Sequence, residues 1–100
     1  MFIAMNRFKV SIGKEDQFEI IWKTRKSNLQ TVAGFISFNL LRSDTFETYT
    51  LYASHTEWHS KEDFINWTKS DSFKESHKGA GKHSDLYKEH PNFEGFESII

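Results

Sequence analysis

The chain contains no cysteine, which excludes a disulfide framework, a thiolate nucleophile and a thiolate metal site. It has almost no net charge either. With 13 basic and 14 acidic residues the balance is −1, so neither nucleic acid nor a membrane surface is implied as a partner. No apolar run approaches the length of a membrane span. The opening MFIAMNRFKV is interrupted too early, by Asn6 and Arg7, to read as a signal peptide. A cytoplasmic protein is therefore expected. There is no glycine-rich phosphate loop, no Ser-His-Asp order and no paired-carboxylate motif, which leaves hydrolase and nucleotide-binding readings without support. His55, His59, His83 and His90 are scattered singly and form no metal-ligand spacing. What the chain has in abundance is aromatic surface: 16% of its 100 residues, ten of them phenylalanine. One domain of this size, spanning residues 1–100, holds a single core. So much flat apolar area points to a core, a pocket or a subunit contact.

From Phe2 to Val10 the pattern alternates with period two. Phe2, Ala4, Asn6, Phe8 and Val10 share one side of a strand, and Ile3, Met5, Arg7 and Lys9 the other. Asn6 interrupts an otherwise apolar face, so its amide is either satisfied by neighbouring backbone or aimed at a ligand. From Lys14 to about Ser27, Phe18, Ile21, Trp22 and then Leu29 follow helical spacing. Glu15 and Asp16 lie at the start and Lys23, Arg25 and Lys26 at the end, as the helix dipole favours. Val32 to Leu41 and Thr48 to Thr56 read as a strand pair joined by Arg42 to Glu47, with Ser43 and Asp44 in the turn. Phe35 and Leu41 are expected on one side of the second strand, and Ile36, Phe38 and Leu40 on the other. Gly79 to Asn92 is charged, poor in apolar residues and expected to be a loop, after which Phe93 to Ile100 closes the chain as a strand.

Between the hairpin and the loop, SKEDFINWTKSDSFKESHKG reads as two short helices in tandem. Ser60 with Asp63 caps the first, Ser72 with Glu75 caps the second, and Gly79 supplies the stop. Phe64 and Trp67, three apart, share one helical face; Phe73 and His77, four apart, share another. These aromatics serve equally as core anchors or as a pocket edge with an imidazole in it. The order β-α-β-β-α-β is the ferredoxin-like split βαβ arrangement, an α+β fold with both helical segments on one face of a four-stranded antiparallel sheet. The other face also carries large apolar side chains, and no third layer remains to cover it. A homodimer packed sheet to sheet is the simplest cover.

Trp58, Ser60, Phe64, Trp67, Ser70, Phe73 and His77 form the pattern W-x-S-x3-F-x2-W-x2-S-x2-F-x3-H. On a chain of this length and element order, the pattern resembles the antibiotic biosynthesis monooxygenase superfamily of dimeric α+β barrels. Asn6 together with Trp67 and His77 resembles, more narrowly, the IsdG-type heme-degrading monooxygenases, whose pocket triad is Asn, Trp and His. That resemblance implies heme as both substrate and cofactor, dioxygen, and an external electron donor, either a reductase or a small reductant. It implies His77 as the proximal ligand of the heme iron, Asn6 facing the distal side and Trp67 pushing the porphyrin out of plane, with Phe73 beside them in the heme site. The residue types suit those roles: neutral imidazole is a good axial ligand, an amide donates a hydrogen bond without acting as an acid, and a rigid indole can distort a macrocycle. The loop after His77 departs from the family pattern. Lys78 and Lys82 there are either partners for the propionates or solvated loop lysines. Two alternatives stay open: a cofactor-independent quinol or polyketide monooxygenase of the same superfamily, and a non-enzymatic heme-binding dimer.

Overall fold

The computed structural model describes residues 1–25, 28–76, 86–89 and 91–100. Alternation in the first segment produces the strand β1 (Phe2–Ser11), which buries Phe2, Ala4, Phe8 and Val10 and leaves Asn6 half-buried on that same side. β1 is central. It pairs antiparallel with β3 (Tyr49–Trp58) along one edge and with β4 (Asn92–Glu97) along the other, and β2 (Phe35–Thr45) pairs antiparallel with β3. The strand order is β2-β3-β1-β4. The helices α1 (Glu15–Thr24), α2 (Lys61–Thr68) and α3 (Asp71–Ser76) complete the expected ferredoxin-like arrangement.

All three helices serve one face of the sheet, and they split its core in two. Under α1, Phe8, Val10, Phe18 and Tyr52 are buried together, with Trp22, Leu40 and Tyr87 against them. Under α2 and α3, Phe2, Ala4, Leu29, Trp58 and Trp67 are buried with Val32, Phe35, Phe64 and Phe73. Complete burial of a side chain such as Phe18, 0% exposed, contributes about 1.5–3 kcal/mol, so α1 is held mainly by what it packs rather than by its propensity. A polar clamp sets its register. Glu19 accepts hydrogen bonds from the Tyr52 hydroxyl and, at 2.9 Å, from Arg42 Nη1, and Glu15 accepts one from Thr50 Oγ1 at 2.8 Å. These bonds hold both carboxyls below the usual carboxylate range. For Glu19 the Tyr52 hydroxyl is the main cause; for Glu15 it is the residue's own backbone N–H, followed by Thr50.

Several sequence expectations need correction. β2 does not end at Leu41 but runs on to Thr45, and a register shift between Arg42 and Thr45 absorbs Ser43 and Asp44. The chain reverses after it, where Phe46 N bonds Tyr49 O at 2.7 Å. A second shift, between Phe35 and Ser37, places Phe35 opposite Trp58 and Phe38 opposite Thr56, so Phe35 joins Phe38 and Leu40 on the helix side. β2 starts only after Gly34, whose φ of +84° and close approach to Asp63, 2.2 Å from where a Cβ would stand, admit no side chain. The first helix stops at Thr24, and Leu29 enters the core from a 3₁₀ turn, Leu29–Thr31, instead. Ser70 rather than Ser72 caps α3: its Oγ accepts from Phe73 N at 3.2 Å. The stretch expected as a plain loop contributes the buried Leu86, and Tyr87 bridges to Val10. The last strand covers Asn92–Glu97 rather than running to Ile100. Gly79, the expected helix stop, lies outside the described residues.

The remaining sheet face bears half-buried Ile3, Met5, Leu51 and Ala53 beside the more exposed Leu41 and Phe96. Among the described residues, no helix is long and apolar enough to cross a membrane.

Candidate functional site

Between the two aromatic clusters the sheet surface drops to short side chains. The register pairs Ala4 with Thr56 and Asn6 with Ser54 on the helix face, and beyond them lie Phe2 and Trp58 at one end, Phe8 and Tyr52 at the other. The result is a polar floor between aromatic walls. Ser54 is 8% exposed and Thr56 8%, buried hydroxyls on what would otherwise be an apolar strand face. Thr56 Oγ1 accepts from the Trp58 indole at 2.9 Å. Asn6 is half-buried and forms no side-chain hydrogen bond among the described residues, and its amide is not one of the buried unpartnered groups.

One wall is built by the motif that the sequence displays. Ser60 Oγ caps α2 by accepting from Asp63 N at 3.1 Å, immediately after Trp58 closes β3. Two turns later Ser70 does double duty: its hydroxyl donates to Trp67 O at 2.6 Å and accepts from Phe73 N at 3.2 Å. A single serine thus fixes the bend between α2 and α3, and the rings of Trp67 and Phe73 meet edge to face at 4.8 Å and 85°. Trp67, 9% exposed, also packs on Trp58 at 5.4 Å and on Phe64 at 6.1 Å. The W-x2-S-x2-F spacing is the spacing of ring, cap and ring.

The structure therefore brings Trp67 and Phe73 into contact and sets Asn6 on the sheet face that α2 and α3 cover. His77 lies outside the described residues, as do Lys78, Lys82, His83 and His90. His55 is half-buried on the opposite sheet face and His59 is exposed. Among the described residues no group of His, Asp or Glu is assembled that could hold a metal ion.

Sequence reasoning missed the opposite wall. Trp22, on α1, stacks on Phe38 at 5.8 Å and 15° and meets Phe8 edge to face at 5.6 Å. Arg25 lies over its ring at 4.1 Å. Its Nε1 is buried without a partner among the described residues, a condition that costs about 1–3 kcal/mol. An open cleft of about 360 Å3 lies between α1 and β2, lined by the apolar Trp22, Phe38 and Leu40 together with Glu19, Lys23, Arg42 and Tyr52. Burial lowers the Arg25 pKa, and burial likewise raises that of Tyr87 nearby. Helical spacing identified Trp22 as facing inward; no sequence signal tells whether a buried indole N–H finds an acceptor.

The sequence profile described as "Antibiotic biosynthesis monooxygenase" matches residues 1–79. The chain belongs to this family. A heme-degrading monooxygenase of Bacillus mycoides is 32% identical over 82 residues, covering 81% of this chain and 75% of that protein. Among solved structures, the heme-degrader MhuD from Mycobacterium tuberculosis, with two hemes bound in its active site, superposes with a TM-score of 0.71 at 20% identity, over 100% of this chain and 97% of that one. A variant of SnoaB, a cofactor-independent oxygenase from Streptomyces nogalater, superposes equally well, with a TM-score of 0.73 at 19% identity over 99% and 93% of the two chains. At such identities the superpositions establish the fold alone. One architecture serves proteins with heme and without it, so the choice between them rests on side chains.

Proposed function

We propose that this antibiotic biosynthesis monooxygenase family member is a heme-degrading monooxygenase that takes heme as substrate and cofactor. With dioxygen and electrons from an external reductase or small reductant, the porphyrin ring is opened and iron is released. The observation that carries this reading is Asn6: a half-buried amide with no hydrogen-bond partner among the described residues, on a polar floor between aromatic walls. A flat apolar ring system fits between such walls, and a catalyst acting on bound dioxygen needs a donor that does not surrender a proton. An amide is one. The heme-degrading relative at 32% identity supports the same substrate class.

The chain's own residues divide the work. Asn6 would donate a hydrogen bond to the reacting oxygen; Trp67, packed by Trp58, Phe64 and Phe73, would border the macrocycle, with Phe73 behind it. His77, six residues beyond the start of α3, is the residue that would bind the iron. Heme supplies the redox-active iron and the bond that is cleaved. The apolar half of the uncovered sheet face supports a homodimer, with one complete pocket in each subunit and the whole chain acting as one domain. The near-neutral composition suits a cytoplasmic location.

Adding hemin to the purified protein tests the reading. A Soret band that forms and then bleaches when ascorbate and air are supplied with catalase present is the expected result. A band that forms and persists would make the protein a carrier, and no band at all would favour a cofactor-independent oxygenase.

A further inference from the structure

Buried positions alternate along the helix side of β3, and Thr50, Ser54 and Thr56 put a hydroxyl at three of them. A buried hydroxyl without a partner is unfavourable, so each calls for one. Thr50 Oγ1 donates to Glu15 and shares a second bond with Thr45 at 2.9 Å. Thr56 Oγ1 accepts from the Trp58 indole and donates to Ala4 O at 3.4 Å. Ser54, 8% exposed, forms no side-chain hydrogen bond among the described residues. The register sets it directly across from Asn6, whose side chain is likewise without a partner there. Neither is one of the buried unpartnered groups, so neither polar end is sealed off by its neighbours. Residues directly opposite on one sheet face have Cβ atoms about 4.5–5.5 Å apart, within reach of one another directly or through one water.

We propose that Ser54 is a positioning residue for Asn6: its hydroxyl donates to Asn6 Oδ1, directly or through one water, and so turns the amide N–H outward to the bound ligand. The inference rests on the heme reading above. An amide by itself is ambivalent, since its oxygen only accepts and its nitrogen only donates. Among the described residues, no hydrogen bond decides which end of Asn6 faces the pocket. With the oxygen engaged by Ser54, Nδ2–H is the end that remains, and polarisation by the hydroxyl makes it a better donor. A small apolar side chain at position 54 would line the floor as well as serine does, but it would leave the amide free to turn over.

Cyanide added to the ferric heme complex reads the amide without turnover, because its outer nitrogen accepts a hydrogen bond. Hemin is loaded into wild type, Ser54→Ala, Ser54→Thr, Asn6→Ala and the double variant Asn6→Ala/Ser54→Ala, and cyanide affinity and melting temperature are measured on each. Ser54→Ala should bind cyanide about fivefold more weakly than wild type. Its melting temperature should not fall, since the hydroxyl has no partner within the described fold to lose. Ser54→Thr, which keeps the hydroxyl, should retain the wild-type affinity. In the Asn6→Ala background, Ser54→Ala should change nothing further, because a residue that acts through the amide then has nothing to act on. Unchanged affinity in Ser54→Ala, equal losses in both backgrounds, a loss that comes with a falling melting temperature, or an equal loss in Ser54→Thr overturns the positioning role and leaves the heme reading in place. Failure of wild type to give a Soret band with hemin overturns the heme reading and this inference with it.

Discussion

Trp58 and Trp22 occupy matching places in the two halves of the core, yet they are finished differently. Trp58 is fully buried under α2, and its N–H reaches Thr56 Oγ1 at 2.9 Å. Trp22 is half-buried under α1, and its N–H reaches nothing among the described residues. Buried indole donors normally find acceptors, so the first is a structural anchor and the second an unfinished contact. The halves differ in the same way as wholes. The α2–α3 half is closed by rings and serine caps, whereas the α1 half ends in an ionic clamp and an open cleft.

The contrast can be broken most severely at Trp58. Trp58→Ala should cost about 3–5 kcal/mol, read by urea unfolding, and should abolish ligand binding with it. A loss below about 1 kcal/mol would mean that the α2–α3 half is not the anchor. A smaller effect is expected at the clamp. Tyr52→Phe should cost about 1–2 kcal/mol at neutral pH, with the α1 half loosened. Glu19 has a depressed pKa, so its contribution is present above the ordinary carboxylate range and is lost as pH falls through its lowered folded value. The gap in stability between wild type and Tyr52→Phe should therefore narrow on acidification, and a gap that widens would contradict the clamp. The smallest effect belongs to Trp22→Phe, which removes only an unsatisfied donor and some ring area. A change in stability of about 1 kcal/mol or less is expected by thermal melting.

Much of this is legible in the sequence. Period-two alternation put Asn6 on the helix side of β1, and i,i+3 spacing put Phe64 and Trp67 together. Other features depend on long-range competition that local rules do not register. Ser70 and Ser72 both satisfy a capping pattern, and the choice went to Ser70 because its hydroxyl also meets the carbonyl that ends α2. The register shifts of β2 carry no glycine or proline to mark them; they follow from its pairing with β3. Tyr87 sits among charged residues, a composition that implies a loop. Yet β4 covers β1 only from Phe2 to Arg7, and the free edge beyond recruits Tyr87 and Lys88. That the N–H of Trp22 has no partner among the described residues is a property of packing alone.

Asn6→Ala tests the central claim most directly, since the Asn6 amide has no hydrogen-bond partner among the described residues. Hemin affinity, melting temperature and the rate of Soret bleaching with ascorbate are measured on wild type and variant together. The account predicts unchanged affinity and melting temperature with bleaching slowed about a hundredfold. Bleaching at the wild-type rate, or slowed only in proportion to lost stability, would contradict it.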